Sequence, residues 1–147
     1  MRLTRFTDYS LRVLIYLGQN TQNRVTINQI SEDYEISKNH LMKVVSNLTR
    51  LKFVSAQRGP GGGIQLNRPP EEICLEEVIR NTEKHLRRVN GSNPAAKQAT
   101  TADSRLKGYL HHAMQAYLDK LACFTLADVL DQQTAQVQGL ELKEEAA

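Results

Sequence analysis

From Thr7 to Gly18 the apolar side chains of Tyr9, Leu11, Val13, Leu14, Ile15, Tyr16 and Leu17 wrap most of a helical surface rather than one stripe. A helix patterned in this way is covered on several sides, so it should stand at the centre of the fold. Polar residues Asn20 to Asn23 end it. Thr26-Ile27-Asn28-Gln29 then reads as a capping box, with Thr26 as N-cap and Gln29 reaching back to it, and a short second helix follows with Ile27, Ile30 and Tyr34 on one face. The third helix is announced by Ser37 as its N-cap and by Ile36, which precedes the cap and can staple to Leu41. Leu41, Val44, Val45, Leu48 and Leu51 form its buried stripe. Asn39, Lys43, Ser46 and Arg50 fall on the opposite face, with Lys38 and His40 at the tip.

Phe53 to Arg58 and Ile64 to Arg68 read as two short strands, and Gly59-Pro60-Gly61-Gly62-Gly63 between them allows the sharp reversal of a hairpin. Pro69-Pro70 closes it. A fourth helix is predicted over Leu75 to Glu83, followed from Asn90 to Thr101 by a stretch too poor in apolar residues to pack, read as a flexible loop. Asp103 or Ser104 can cap a long helix in which Leu106, Leu110, Ala113, Tyr117, Leu121 and Phe124 recur at helical spacing. A lone helix cannot hide that stripe, so pairing with a second copy is expected, through Leu106, Leu110, Ala113, Tyr117 and Leu121. Thr125 opens a last short helix through Leu130, and a polar tail follows. The predicted fold is mainly α with a small β-hairpin, a winged helix-turn-helix plus a long dimerisation helix. Its parts are a DNA-binding unit over 1–70, a connecting helix and loop over 71–102, the dimerisation and short C-terminal helices over 103–131, and a tail over 132–147.

The chain has 147 residues, enough for one domain with an oligomerisation arm, and its 40% hydrophobic and 24% charged content is that of an ordinary globular protein. No apolar run approaches a membrane span, and Asp8 interrupts the position where a secretory signal would be apolar, so a cytoplasmic protein is expected. The net charge of +3 conceals an uneven distribution. Ile36 to Pro70 holds Lys38, Lys43, Arg50, Lys52, Arg58 and Arg68 and no acid, whereas beyond Lys107 the charge balance reverses, with Asp119, Asp128, Asp131, Glu141, Glu144 and Glu145 against Lys120 and Lys143. An acid-free basic stretch over a capped helix and a hairpin draws a polyanion, and double-stranded DNA is the partner that this order of elements fits.

Asn39 can pair with adenine through its donor and acceptor while Lys43 and Arg50 meet phosphates, and Thr26, Ser37, Lys38 and His40 complete the DNA-binding set of this face. Arg58 with Gly59, Gly62 and Gly63 reads as a wing that places an arginine in the minor groove. The competing readings are a solvated basic face, a winged-helix module that holds another protein, and an RNA binder. The missing acids argue against the second, and the absence of an aromatic on the basic helix or wing tip argues against the third. Cys74 and Cys123 show no disulfide or zinc spacing and read as small core residues. His85, His111, His112 and Cys123 do not have metal-ligand spacing, so no metal site is expected. The chain shows no nucleophile with a nearby base and no phosphate loop, so no enzymatic activity is expected.

Leu3-Thr4-Arg5-Phe6-Thr7-Asp8-Tyr9, Ile36-Ser37-Lys38-Asn39-His40-Leu41-Met42-Lys43-Val44 and Arg58-Gly59-Pro60-Gly61-Gly62-Gly63-Ile64-Gln65-Leu66 resemble the Rrf-two family of bacterial transcription regulators, nearest to its nitric-oxide-responsive branch. Arg105-Leu106-Lys107 and Phe124 to Leu130 extend the likeness to about Asp131. The resemblance implies a homodimeric winged-helix repressor with the long helix at the dimer interface and Ser37 to Lys43 and Arg58 on a palindromic operator. Two departures stand out. Glu35 occupies a place the family usually gives to glycine, where left-handed geometry costs a side chain about 1 kcal/mol. Iron-sulfur members also carry three cysteines before the long helix, but here the last of these is Ser104 and no cysteine lies between Asn90 and Ser104. Asp8 stands where the family can supply an oxygen ligand, yet a carboxylate without thiolates does not retain a cluster. No iron-sulfur cofactor is therefore expected, and control by an effector or a partner protein is the alternative.

Overall fold

The computed structural model describes residues 2–88 and 101–131. Helix α1 (Arg5–Gln19) begins after Thr4, whose hydroxyl accepts the Thr7 N–H, so a polar cap starts the helix two residues ahead of its apolar pattern. Helix α2 (Ile27–Asp33) carries the predicted capping box in both directions. Thr26 Oγ1 accepts the Gln29 N–H at 3.3 Å, and Gln29 Oε1 accepts the Thr26 N–H at 2.8 Å. Helix α3 (Lys38–Arg50) follows a turn in which Glu35 takes the left-handed φ of 53° anticipated from its place. Ser37 is the N-cap residue but makes no side-chain capping bond, contrary to expectation. The turn into α3 is held instead by Ser31, whose hydroxyl donates to the Ile36 carbonyl at 2.7 Å while its own carbonyl accepts the Ile36 N–H.

Strands β1 (Val54–Gln57) and β2 (Gly63–Leu66) pair antiparallel, from Val54 opposite Leu66 to Gln57 opposite Gly63. They are shorter than the sequence suggests. Phe53 is fully buried ahead of β1, and Arg68 turns away after β2 to Glu77. A single bridge adds Val25 to the other edge of β2, with Val25 N–H donating to the Ile64 carbonyl at 2.9 Å and the reverse bond at 2.7 Å. Gly63 is needed at that crossing, because at φ 150° a Cβ would stand 2.8 Å from the Val25 carbonyl oxygen.

After a 3₁₀ turn over Pro70–Glu72 come α4 (Leu75–Thr82), a short α5 (Lys84–Arg88) that the apolar pattern did not announce, α6 (Thr101–Leu121) and α7 (Leu126–Leu130). Helix α6 is already formed at Thr101, so neither Asp103 nor Ser104 caps it. The loop expected over 90–101 falls outside the described residues up to residue 100, as does the tail over 132–147.

Helix α1 is central, as its all-round apolar pattern requires, packing on α3, α4, α7 and β2. The main core joins Val13, Leu14 and Leu17 of α1 to Ile30, Leu41, Val44, Leu48, Phe53, Ile64 and Val78. Leu126 of α7 enters this same core, fully buried, because the chain before it pairs back onto the start of α4: Leu75 N–H donates to Phe124 and Leu126 N–H to Ile73. The C-terminal end of the segment 103–131 therefore packs into the same core as the helices before it.

A smaller cluster forms around Ile79, Leu86 and Leu118, with Met114, Tyr117 and Leu121 packed against it. Here the stripe on α6 divides. Tyr117 and Leu121 are half-buried against this cluster, and burial together with the Glu83 charge pushes the Tyr117 hydroxyl up from its ordinary value. Leu106, Leu110 and Ala113 remain exposed, joined by Tyr109 at 71%. The cysteines also differ from the core reading, since Cys74 is half-buried and Cys123 exposed at the end of α6. Cys123 lies in the turn after the helix, past the last residue that its apolar spacing could bury.

Candidate nucleic-acid interface

One face of α3 builds the core and thereby fixes the other. Leu41, Val44, Val45 and Leu48 are buried, so Lys38, Asn39, His40, Lys43, Ser46 and Arg50 are directed outward, all exposed. Leu51 is only half-buried, as the residue that caps the helix end. A shallow groove along this face is lined by Asn39, Met42, Lys43 and Ser46. Met42, 51% exposed, lies within the Ser37 to Lys43 stretch expected on DNA, but the amino-acid pattern assigned it no contact of its own. Its thioether and methyl offer an apolar contact of the kind a thymine methyl can use, and an outward-facing apolar residue on a polar face is the signal that could have found it.

Two of the outward side chains are oriented by neighbours. The His40 ring lies 6.1 Å from the Tyr9 ring, which ties the tip of α3 to α1, and the Arg50 guanidinium donates to Asn47 Oδ1 at 2.8 Å. Lys38 and Lys43 extend from the same surface. Thr26 is exposed, but its hydroxyl is engaged in the α2 capping box, whereas the Ser37 hydroxyl is not engaged in a cap.

The wing projects from the same body. Arg58, Gly59, Pro60 and Gly61 are exposed, and the turn is closed by the Gly62 N–H donating to the Gly59 carbonyl at 2.9 Å. A Cβ on Gly62 would lie 2.4 Å from the Gln57 carbonyl oxygen, so only glycine lets the turn close this tightly. Arg68 leaves the basic set. Its guanidinium stacks 4.6 Å above the Phe53 ring and reaches both Glu77 oxygens at 3.2 Å, which makes it a bracket between the hairpin and α4.

On the opposite flank of α3, Glu83 joins the end of α4 to the start of α1. It is 5% exposed and accepts the Thr4 N–H at 2.6 Å and the Thr4 hydroxyl at 3.0 Å on one oxygen. Burial pushes its carboxyl up, but the hydrogen bonds from Thr4 and Thr7 and the nearby His85 outweigh it, so the group lies below the usual carboxylate range.

The donors that would have to hold an iron-sulfur cluster do not converge. Asp8 is paired with Arg12 at 3.0 Å, Cys74 and Cys123 lie at the far end of α6, and the described residues contain no group of three His, Cys, Asp or Glu side chains able to hold a metal. No cysteine occurs between positions 89 and 100. The side chains present do not fit a thiolate-ligated cluster.

No helix among the described residues is long and apolar enough to cross a membrane. A sequence model of the Rrf2 family, described as an iron-dependent transcriptional regulator, matches residues 3–132. The chain is 45% identical over 132 residues to the HTH-type transcriptional regulator NsrR of Bacillus licheniformis, covering 88% of this chain and 92% of that one. It is 41% identical over 146 residues to NsrR of Bacillus subtilis, covering 98% and 100%. Among solved structures it resembles T. potens IscR, with a TM-score of 0.72 at 22% identity over 94% of this chain and 91% of that one. The cysteine regulator CymR of B. subtilis superposes with a TM-score of 0.66 at 22% identity over 88% and 96%. These two establish the winged-helix fold.

Proposed function

The chain belongs to the Rrf2 family and is a DNA-binding transcriptional regulator rather than an enzyme, and we propose that it is a cytoplasmic repressor that binds a two-fold-symmetric operator as a homodimer. The observation that carries this reading is the outward face of α3, where Lys38, Asn39, His40, Lys43 and Arg50 stand together without a carboxylate above a fully packed inner face. Asn39 reads a base edge in the major groove, with Met42 beside it against an apolar methyl. Lys38, Lys43, Arg50 and the Ser37 hydroxyl hold phosphates, and Arg58 enters the minor groove from the wing.

Dimerisation uses the uncovered part of α6, Leu106, Tyr109, Leu110 and Ala113, which would otherwise leave large apolar side chains in water. Two recognition helices related by that contact then meet two half-sites. DNA binding does not depend on an iron-sulfur cluster, because the thiolates are missing. The controlling signal is instead a small effector or a partner protein, and it can act only by binding the DNA-competent and incompetent states unequally.

Duplexes selected by the protein from a randomised pool test the reading. Affinity for the selected duplex should fall steeply with salt. Asn39→Ala should relax preference at one position of each half-site by roughly 1 to 3 kcal/mol, while Lys43→Ala should weaken all sequences about equally. Equal losses on all sequences from both variants overturn the base-reading role of Asn39. Failure to bind any duplex at low salt overturns the whole assignment.

A further inference from the structure

Beside the reading face of α3 lies a second, deeper basin of about 620 Å³, formed where the start of α1, the flank of α3 and the end of α4 with α5 meet. Beside the neutral Thr4, Asn81 and Thr82, its ionisable lining is all basic. Lys43 enters from α3, and Lys84 and His85 from α5, both exposed. Asn47 adds a side-chain amide nitrogen that is buried without a hydrogen-bond partner, its oxygen already taken by Arg50. The carboxylate of Glu83, which precedes Lys84 in the chain, is turned to the Thr4 N–H and hydroxyl and does not line the basin. Two ammonium groups, an imidazole and an orphaned amide donor surround a space that no carboxylate of the described residues lines. That chemistry selects an oxyanion.

Lys43 decides which oxyanion. It lines this basin and also the groove with Asn39, Met42 and Ser46, so the two depressions adjoin at one side chain. A duplex lying along the groove carries a phosphate about every 3.4 Å of axis on each strand, and its backbone must pass over the edge that Lys43 marks. We propose that Lys84 and His85 of α5, with Lys43 and Asn47, form a backbone-phosphate seat that extends the DNA interface beyond the helix-turn-helix and the wing. This rests on the DNA-binding reading and deepens it. Helix α5 immediately precedes residues 89–100 in the chain, so a signal received in that stretch has a covalent route to a DNA contact through Lys84 and His85.

The test uses the full chain and the duplex selected by the wild-type protein. Lys84→Gln/His85→Gln should weaken binding roughly three- to tenfold on all duplexes, lower the slope of log affinity against log salt by about 1, and leave base preference unchanged. Lys84→Arg/His85→Lys should restore both affinity and slope. Both sites are exposed, so melting curves of the variants should overlay the wild type, and a variant that does not fold is replaced by the single Lys84→Gln change. Wild-type binding with an unchanged slope in the Gln variants overturns the seat while leaving the regulator reading intact. Absence of wild-type binding to any duplex overturns both. A titration with inorganic phosphate, followed by the His85 ring resonances, separates the remaining case: saturation by free phosphate with no DNA deficit in the variants marks a small-anion site and overturns the proposal.

Discussion

Glu83 offers the sharpest quantitative test of how the DNA-binding body is held together. Its single carboxylate oxygen receives both donors of Thr4, the N-cap of α1, at 2.6 and 3.0 Å in a site where the residue is 5% exposed. Hydrogen bonds to a charged acceptor contribute about 1.5 to 3 kcal/mol each, less when two share one oxygen. Glu83→Ala strands both donors and should cost about 2 to 4 kcal/mol, whereas Glu83→Gln keeps an acceptor and loses only the charge, about 1 kcal/mol. The pH dependence separates these contributions. A carboxyl whose folded value lies below the ordinary range stabilises the protein fully above that range and loses the contribution as pH falls through the folded value. Urea unfolding at neutral pH and at successively lower pH should therefore show the wild type leading Glu83→Gln at pH 7, with the gap closing in acid. A gap independent of pH, or one that widens in acid, would refute the assignment of Glu83 as an ionised cap.

Leu110→Glu should convert the dimer to a monomer at micromolar concentration and abolish operator binding in parallel, read by sedimentation and by a mobility shift; a wild type that sediments as one chain contradicts the proposed interface. Tyr117→Phe should leave the oligomeric state untouched, because it keeps the half-buried ring that packs against Ile79, Leu86 and Leu118 and removes only the hydroxyl. Gly63→Val forces a side chain into φ 150° against the Val25 carbonyl and should cost on the order of 2 to 3 kcal/mol while weakening DNA binding through the wing. Supplying iron and sulfide without oxygen should produce no stoichiometric visible chromophore and no change in operator affinity on nitric oxide treatment; a coloured, NO-sensitive species that releases DNA would overturn this and mean that Asp8, His85, Cys74 or Cys123 form a ligand set after all.

The capping box at Thr26, the buried stripe of α3 and the hairpin turn are local statements, each written within a few residues, and the amino-acid sequence suffices to read them. The left-handed turn at Glu35 is legible through resemblance. Contacts between distant segments are not. Val25 pairs with Ile64 and Phe124 with Leu75 across long sequence separations, and no periodicity encodes either. Charge counting along the chain fails for the same reason: Arg68 belongs to the acid-free stretch in sequence, yet in space it is bound to Glu77 and stacked on Phe53. Lys84 and His85 show the converse, lying outside the stretch in sequence and beside Lys43 in space. The apolar stripe of α6 is a single pattern that serves two surfaces, its C-terminal half closing on α4 and α5 and its N-terminal half left open. A stripe states that a face must be covered but not by what: Tyr117 and Leu121 are partly covered by α4 and α5, while Leu106, Leu110 and Ala113 stay exposed. The same stretch of α6 is the part adjacent in sequence to residues 89–100, with α5 on their other side. A ligand or partner acting on those residues would bear at once on the proposed dimer contact, and so on the spacing of two recognition helices, and on the proposed phosphate seat.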